Sequence, residues 1–178
     1  MLSNEVTLRK IPSPAMSESE SWPISELGAR TTADWHTEAN ERSYQIRLGP
    51  RIVRIETTTA ELPKWLLGVV AELNKIADLP SNWDSYDALP VPQRTLEHAL
   101  QVIAQLMDID TLPPQVGATV DGGVEFEWHR NGMDLEVQIL APFQVHMYFF
   151  DEELNEEREE SIGANLEVIR PYLGRLTK

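Results

Sequence analysis

Six side chains between residues 125 and 148 are of types that can do chemistry together: Glu125, Glu127, His129, Glu136, His146 and Tyr148. Glutamates and histidines on neighbouring strands can ligate a divalent metal. Two close carboxylates can also push each other's pKa values apart and so divide acid and base roles. The same residues equally make an ordinary solvated face of an antiparallel sheet, or a face that docks a partner. Which description holds depends on whether the backbone brings them together.

The turns say that it does. Asn131-Gly132 is the strongest short hairpin signal, because a type I′ turn needs positive φ at both central residues. With those two residues as the loop, Trp128 faces Leu135, Phe126 faces Val137 and Val124 faces Ile139. Read as a three-residue loop, Asp121-Gly122-Gly123 sets Val120 against Val124, Ala118 against Phe126 and Val116 against Trp128. A further loop at Ala141-Pro142-Phe143 sets Val145 against Ile139, Met147 against Val137 and Phe149 against Leu135. All three place the apolar residues on one face, and a slip of one residue would invert every side chain. Residues 116–150 therefore read as a four-stranded antiparallel meander.

The opposite face follows with no further freedom. It holds the six residues above with Gln138 and Asp134, and it sets Glu127 directly across from Glu136. Like charges so placed are destabilising. A cation, an arginine from the basic Tyr44–Thr57 hairpin or a basic partner lying between them would relieve the repulsion, and the intramolecular arginine is the simplest of the three. A nuclease of the restriction type needs a lysine beside its acidic pair, and Glu125-Phe126-Glu127 has none.

Around the meander the chain supplies helices. Leu62, Trp65, Leu66, Val69, Leu73 and Ile76 recur at helical spacing behind Pro63, which suits a first turn. Pro92 opens a second helix carrying Leu96, Ala99, Leu100, Ile103, Leu106 and Met107 on one face. A last helix carries Leu166, Ile169, Leu173 and Leu176, with Pro171 placed to kink or split it. Tyr44–Leu48 and Arg51–Thr57 form a hairpin about Gly49-Pro50 that could extend the meander. The expected fold class is α+β: a two-layer domain, an antiparallel β-meander packed on about three α-helices. Residues 41–178 form that single domain. Residues 1–40, rich in Ser, Glu, Thr and Pro, read as a flexible N-terminal arm bearing Trp22 and Trp35.

Composition narrows the function. The 178 residues carry 29 acidic and 15 basic side chains, a net charge of -14. That balance argues against direct nucleic-acid binding and favours a basic protein partner. The run 151–160 is the most acidic stretch and reads as solvated and flexible. Without cysteine there is no disulfide and no thiolate metal site. No signal peptide or apolar membrane span is recognisable, so a cytoplasmic, bacterial-type protein is expected. Gly-rich phosphate loops, His-Glu-x-x-His helices and Ca²⁺-loop patterns are missing, and no cofactor is expected.

One loop stands apart. In Leu79-Pro80-Ser81-Asn82-Trp83-Asp84-Ser85-Tyr86, the Asp84 or Ser85 side chain can cap backbone N–H groups while Trp83 and Tyr86 plug the loop onto the core. The alternative is a ligand rim built on Trp83, Asp84 and Tyr86. Ser85 lacks a nucleophile elbow. Together with Asp121-Gly122-Gly123-Val124 and Glu127-Trp128, this loop resembles a group of small bacterial proteins of unassigned function. That group has a Leu-Pro-x-x-Trp-Asp-x-Tyr-Gly-Ala-x-Pro loop before an Asp-Gly-Gly-Val hairpin ending in Glu-Trp. The resemblance spans about residues 70–175 and departs at Asp87, where the group has Gly. It implies one shared domain for loop and strand, and no activity.

The expectation is a non-catalytic acidic interaction protein, a regulator or accessory subunit of a bacterial complex of antitoxin-like, immunity-like or defence and mobile-element type. The alternatives are a small metal-dependent hydrolase working from Glu125, Glu127, Glu136 and His146, and a structural component of a mobile element.

Overall fold

The computed structural model describes residues 6–10, 42–57 and 61–177. The fold is α+β with two antiparallel sheets. The larger sheet is a five-stranded meander, order β4-β5-β6-β7-β8, built from Gln115–Ala118, Val124–Arg130, Met133–Ala141, Gln144–Asp151 and Glu156–Ser161. The smaller is three-stranded, order β1-β3-β2, from Val6–Lys10, Arg51–Thr57 and Arg42–Leu48. Helices α1 (Leu66–Ala77), α2 (Gln93–Leu106) and α3 (Arg170–Leu176) complete the domain.

The Asn131-Gly132 turn sets the register as the sequence requires. Both residues have positive φ, 53° and 71°. Val124 pairs with Ile139, Phe126 with Val137 and Trp128 with Leu135. On the next ladder Ile139 pairs with Val145, Val137 with Met147 and Leu135 with Phe149. All of these side chains are buried. A bulge between Ile139 and Ala141 lets Ala141 pair with Gln144, so the β6–β7 loop is Pro142-Phe143 alone.

Two expectations about the meander need correction. The β4–β5 pairing lies two residues from the expected register: Ala118 faces Val124 and Val116 faces Phe126. The loop is longer because Thr119 closes it, with its N–H donating to Gly123 O (3.0 Å) and its Oγ1 accepting from Gly123 N–H (2.8 Å). A shift of two preserves the face for Val116 and Ala118 but leaves Val120, expected opposite Val124, 56% exposed in the loop. The acidic run is also not a flexible tail throughout. Glu156–Ser161 pairs along β7 as a fifth strand, and its charged side chains suit an edge that must resist pairing with other chains.

The Tyr44–Thr57 hairpin forms, but in the separate small sheet rather than as an extension of the meander. Asn74 of α1 holds its turn: Gly49 N–H donates to Asn74 Oδ1 (2.7 Å), and Asn74 Nδ2 donates to Arg47 O (3.0 Å). Within the segment 1–40, Val6–Lys10 pairs with β3. The rest of that segment, including Trp22 and Trp35, lies outside the described residues.

The helices cover the apolar face of the meander, and Leu48, Ile55, Leu66, Leu73, Leu96 and Ile103 join Phe126 and Leu135 in one core. Buried indoles fix the joints: Trp65 donates to Asp108 O (3.0 Å) and Trp128 to Leu112 O (2.9 Å). Pro171 splits the last helical segment into a 3₁₀ turn at Leu166–Val168 and α3. Among the described residues no helix is long and apolar enough to cross a membrane.

Candidate functional site

With the apolar face spent on the core, the other face of the meander is left to its polar side chains. Alternation puts Glu125, Glu127 and His129 of β5, Asp134, Glu136 and Gln138 of β6, and His146 and Tyr148 of β7 on this side. Glu127 pairs across the strands with Glu136, and Glu125 with Gln138.

Three of the six expected residues meet. One carboxylate oxygen from each of Glu125, Glu127 and Glu136 lies within 4.8 Å of the others, and all three residues are half-buried. Gln138 is the bridge that sequence reasoning did not single out. Its Nε2 donates to Glu125 Oε2 (2.7 Å) and also to Glu136 Oε1. The signal was available, since the register already placed Gln138 beside Glu125.

Electrostatics then distribute the protons unequally. Burial, reinforced by a hydrogen bond to Glu127 and by the charge of Glu136, pushes the Glu125 carboxyl up to about 7. Glu127 is held below the usual carboxylate range, first by that same hydrogen bond and then by His129. In the protonated form Glu125 donates to the Glu127 carboxylate, and near neutrality that form is about half populated.

His129 is drawn to the opposite flank. Its Nδ1 lies 2.7 Å from Asp134 Oδ1 and its Nε2 lies 3.3 Å from Glu127 Oε2. Those carboxylates, Asp134 foremost, raise its pKa and favour the imidazolium. Asp134, placed on this face by the register but not counted among the candidate residues, is its second partner.

The remaining two residues turn toward β8. His146 Nδ1 sits 3.3 Å from Ser161 Oγ, and Tyr148 donates from its hydroxyl to Glu157 Oε1 (3.4 Å). His146 is therefore not part of the carboxylate cluster. Nor does the basic hairpin reach it. Arg47 donates to Gly49 O, Arg51 pairs with Glu97 and Arg54 with Glu56. The expected intramolecular arginine is replaced by a proton on Glu125 and an amide from Gln138.

The Trp83–Tyr86 loop divides likewise. Asp84 Oδ1 accepts from the N–H groups of Tyr86 (2.8 Å) and Ala88 (3.0 Å), as a capping side chain should. Trp83 is half-buried and donates to Leu89 O (3.3 Å). Tyr86 does not plug the core; it is 87% exposed.

Comparison of the chain with protein-family models, with curated proteins and with solved structures finds no match.

Proposed function

We propose that this chain is a non-catalytic acidic interaction protein whose β5–β7 polar face receives a basic protein partner. The observation that carries the reading is the Glu127–Glu136 pair, set directly opposite each other and met, among the described residues, by the exposed His129 imidazole and the Gln138 amide but by no arginine or lysine. A folded chain gains nothing from such a pair, since like charges in that position are destabilising. A cationic partner converts the penalty into attraction. The net charge of -14 supports the same direction and would speed encounter with a basic surface. The absence of cysteine suits a reducing cytoplasm, where we place the protein as a regulator or accessory subunit of a bacterial complex. Co-purification from the native host tests this. A stoichiometric partner of net positive charge, released by raised salt, is expected; recovery of the chain alone would count against it.

A second reading is favoured by one observation, the three carboxylates within 4.8 Å. Oxygen ligands of this kind suit a hard divalent cation, which would permit a small metal-dependent hydrolase. Calorimetric titration with Mn²⁺, Mg²⁺ and Zn²⁺ discriminates the two. Heat that disappears in Glu127→Gln supports the metal reading, and no heat with any ion removes it.

A further inference from the structure

The Asn82–Leu89 loop is rigid, strained and turned outward. Asn82, Ser85 and Asp87 all have positive φ, at 61°, 68° and 69°. Side chains other than glycine hold that region at a cost of order 1 kcal/mol each, and only where the surroundings enforce it. Here the enforcement is complete over five consecutive amides. Ser85 N–H donates to Asn82 O, Tyr86 and Ala88 N–H to Asp84 Oδ1, Asp87 N–H to Asn82 Oδ1, and Leu89 N–H to Val120 O.

What this scaffold displays is not core material. Tyr86 is 87% exposed, Leu89 55% and Val120, on the adjoining loop, 56%. Two acidic side chains, Asp87 and Asp121, are exposed on the same two loops. Residues 79–93 and 115–129 contain no lysine or arginine. A second copy of the chain is a poor occupant, since its own -14 charge and its own Asp87 and Asp121 would be repelled. The same repulsion disfavours nucleic acid and anionic lipid.

We propose that this loop pair is a preformed docking site for an arginine-bearing segment of a protein partner. Arginine satisfies all three features at once better than lysine, whose ammonium is more strongly hydrated and cannot stack flat on a ring. Its guanidinium stacks on an exposed tyrosine ring, its stem lies along aliphatic surface, and its fixed charge meets carboxylates. Because the loop is already ordered, binding loses little conformational entropy on this side. The site is separate from the sheet face and does not depend on it.

The test is fluorescence anisotropy with a labelled peptide of arginines spaced by glycine and serine, alongside its lysine counterpart. The arginine peptide should bind the full chain more tightly than the lysine peptide. Tyr86→Ala should weaken it by about fivefold or more, while Tyr86→Phe stays within about twofold, as cation–π stacking requires. Asp87→Asn with Asp121→Asn should weaken it as well, and the loss caused by Tyr86→Ala should persist when it is made in the Glu127→Gln, Glu136→Gln background. Tyr86 is 87% exposed, so the unfolding midpoint of Tyr86→Ala should match the wild type. No binding of the arginine peptide overturns the proposal, as does equal binding of the lysine peptide. Loss through the sheet-face variant in place of Tyr86→Ala, or a Tyr86-dependent self-association, overturns it too. Since the two sets of variants are separate, failure here is distinguishable from failure of the sheet-face reading.

Discussion

Glu127 and Glu136 face each other across β5 and β6, and neither is paired with a lysine or arginine among the described residues. Their neighbours carry the strain. Glu125 is pushed up to about 7, and Gln138 donates to Glu125 and Glu136. A face arranged like this is stable enough to fold yet leaves negative charge unspent.

The proton on Glu125 makes stability depend on pH. Its folded pKa, about 7, lies above its ordinary value of 4.5. The stabilisation is therefore complete below about pH 4.5 and is lost as pH rises through about 7. His129, also raised, acts in the same direction above its ordinary 6.5. Urea unfolding at pH 5, 6, 7 and 8 should show stability falling across that window. In Glu125→Gln the fall should be smaller, leaving the His129 contribution and, below about pH 6.5, the opposing one of His98.

Removing one of the opposed charges should stabilise the free protein. Glu136→Gln keeps the size of the side chain and ends the repulsion with Glu127. At pH 8 the gain should be about 0.2–1 kcal/mol, the range for a cross-strand pair. Chemical denaturation of the two chains checks it.

Asp151 is the most consequential carboxylate outside the site. It is 4% exposed, pairs with Arg175, and accepts from Leu154 N–H at 3.0 Å. Asp151→Ala strands Arg175, whose guanidinium also packs over Phe149. Because Arg175 is partly solvated and keeps Glu156 as a partner, the loss should be about 2–3 kcal/mol, below the full value for a buried pair. Thermal unfolding should show it, with the largest effect on β8.

His98 supplies an acid-side counterpart. Its Nε2 accepts from Phe143 N–H at 3.0 Å, which requires a neutral ring, and burial lowers its pKa. The contribution is present above its ordinary 6.5 and lost as pH falls toward the lower folded value. Amide exchange at Phe143, after correction for intrinsic rates, should lose protection on acidification. Its neighbours Val145 and Met147 should not.

Asp87 sits at φ 69°, a left-handed conformation that glycine adopts without strain. Asp87→Gly should relieve backbone strain and raise stability by up to about 1 kcal/mol. Unfolding midpoints of the two chains measure this directly.

How far the sequence reveals this molecule varies by element. Asn131-Gly132 and the alternation of Val124, Phe126 and Trp128 dictate β5 and β6 fully, because turn chemistry and burial agree there. The fifth strand escapes. Inward positions of β8 are Glu156, Arg158 and Glu160, satisfied by Arg175 and Tyr172 rather than by apolar burial. Hydrophobic periodicity cannot register a strand held that way. The β4 register was misjudged because Gly122 and Gly123 serve packing as well as turning. A side chain at Gly123 would meet Ile139 O at 2.9 Å, and one at Gly122 would meet Pro90 O at 3.1 Å. Within the site, residue types pointed to Glu125, Glu127 and Glu136, but not to the amide of Gln138 that bridges them. His146 looked like a member and belongs instead to Ser161.

The most direct measurement compares two baits in the native host: the wild-type chain and its Glu127→Gln, Glu136→Gln double variant, each recovered at low and high salt and quantified by mass spectrometry. Unfolding midpoints of the two baits are compared first, so that a loss seen at equal stability belongs to the surface. The sheet face predicts a basic protein recovered stoichiometrically with the wild type at low salt, and lost with the variant. Equal recovery by both baits, or no stoichiometric protein with either, would contradict it.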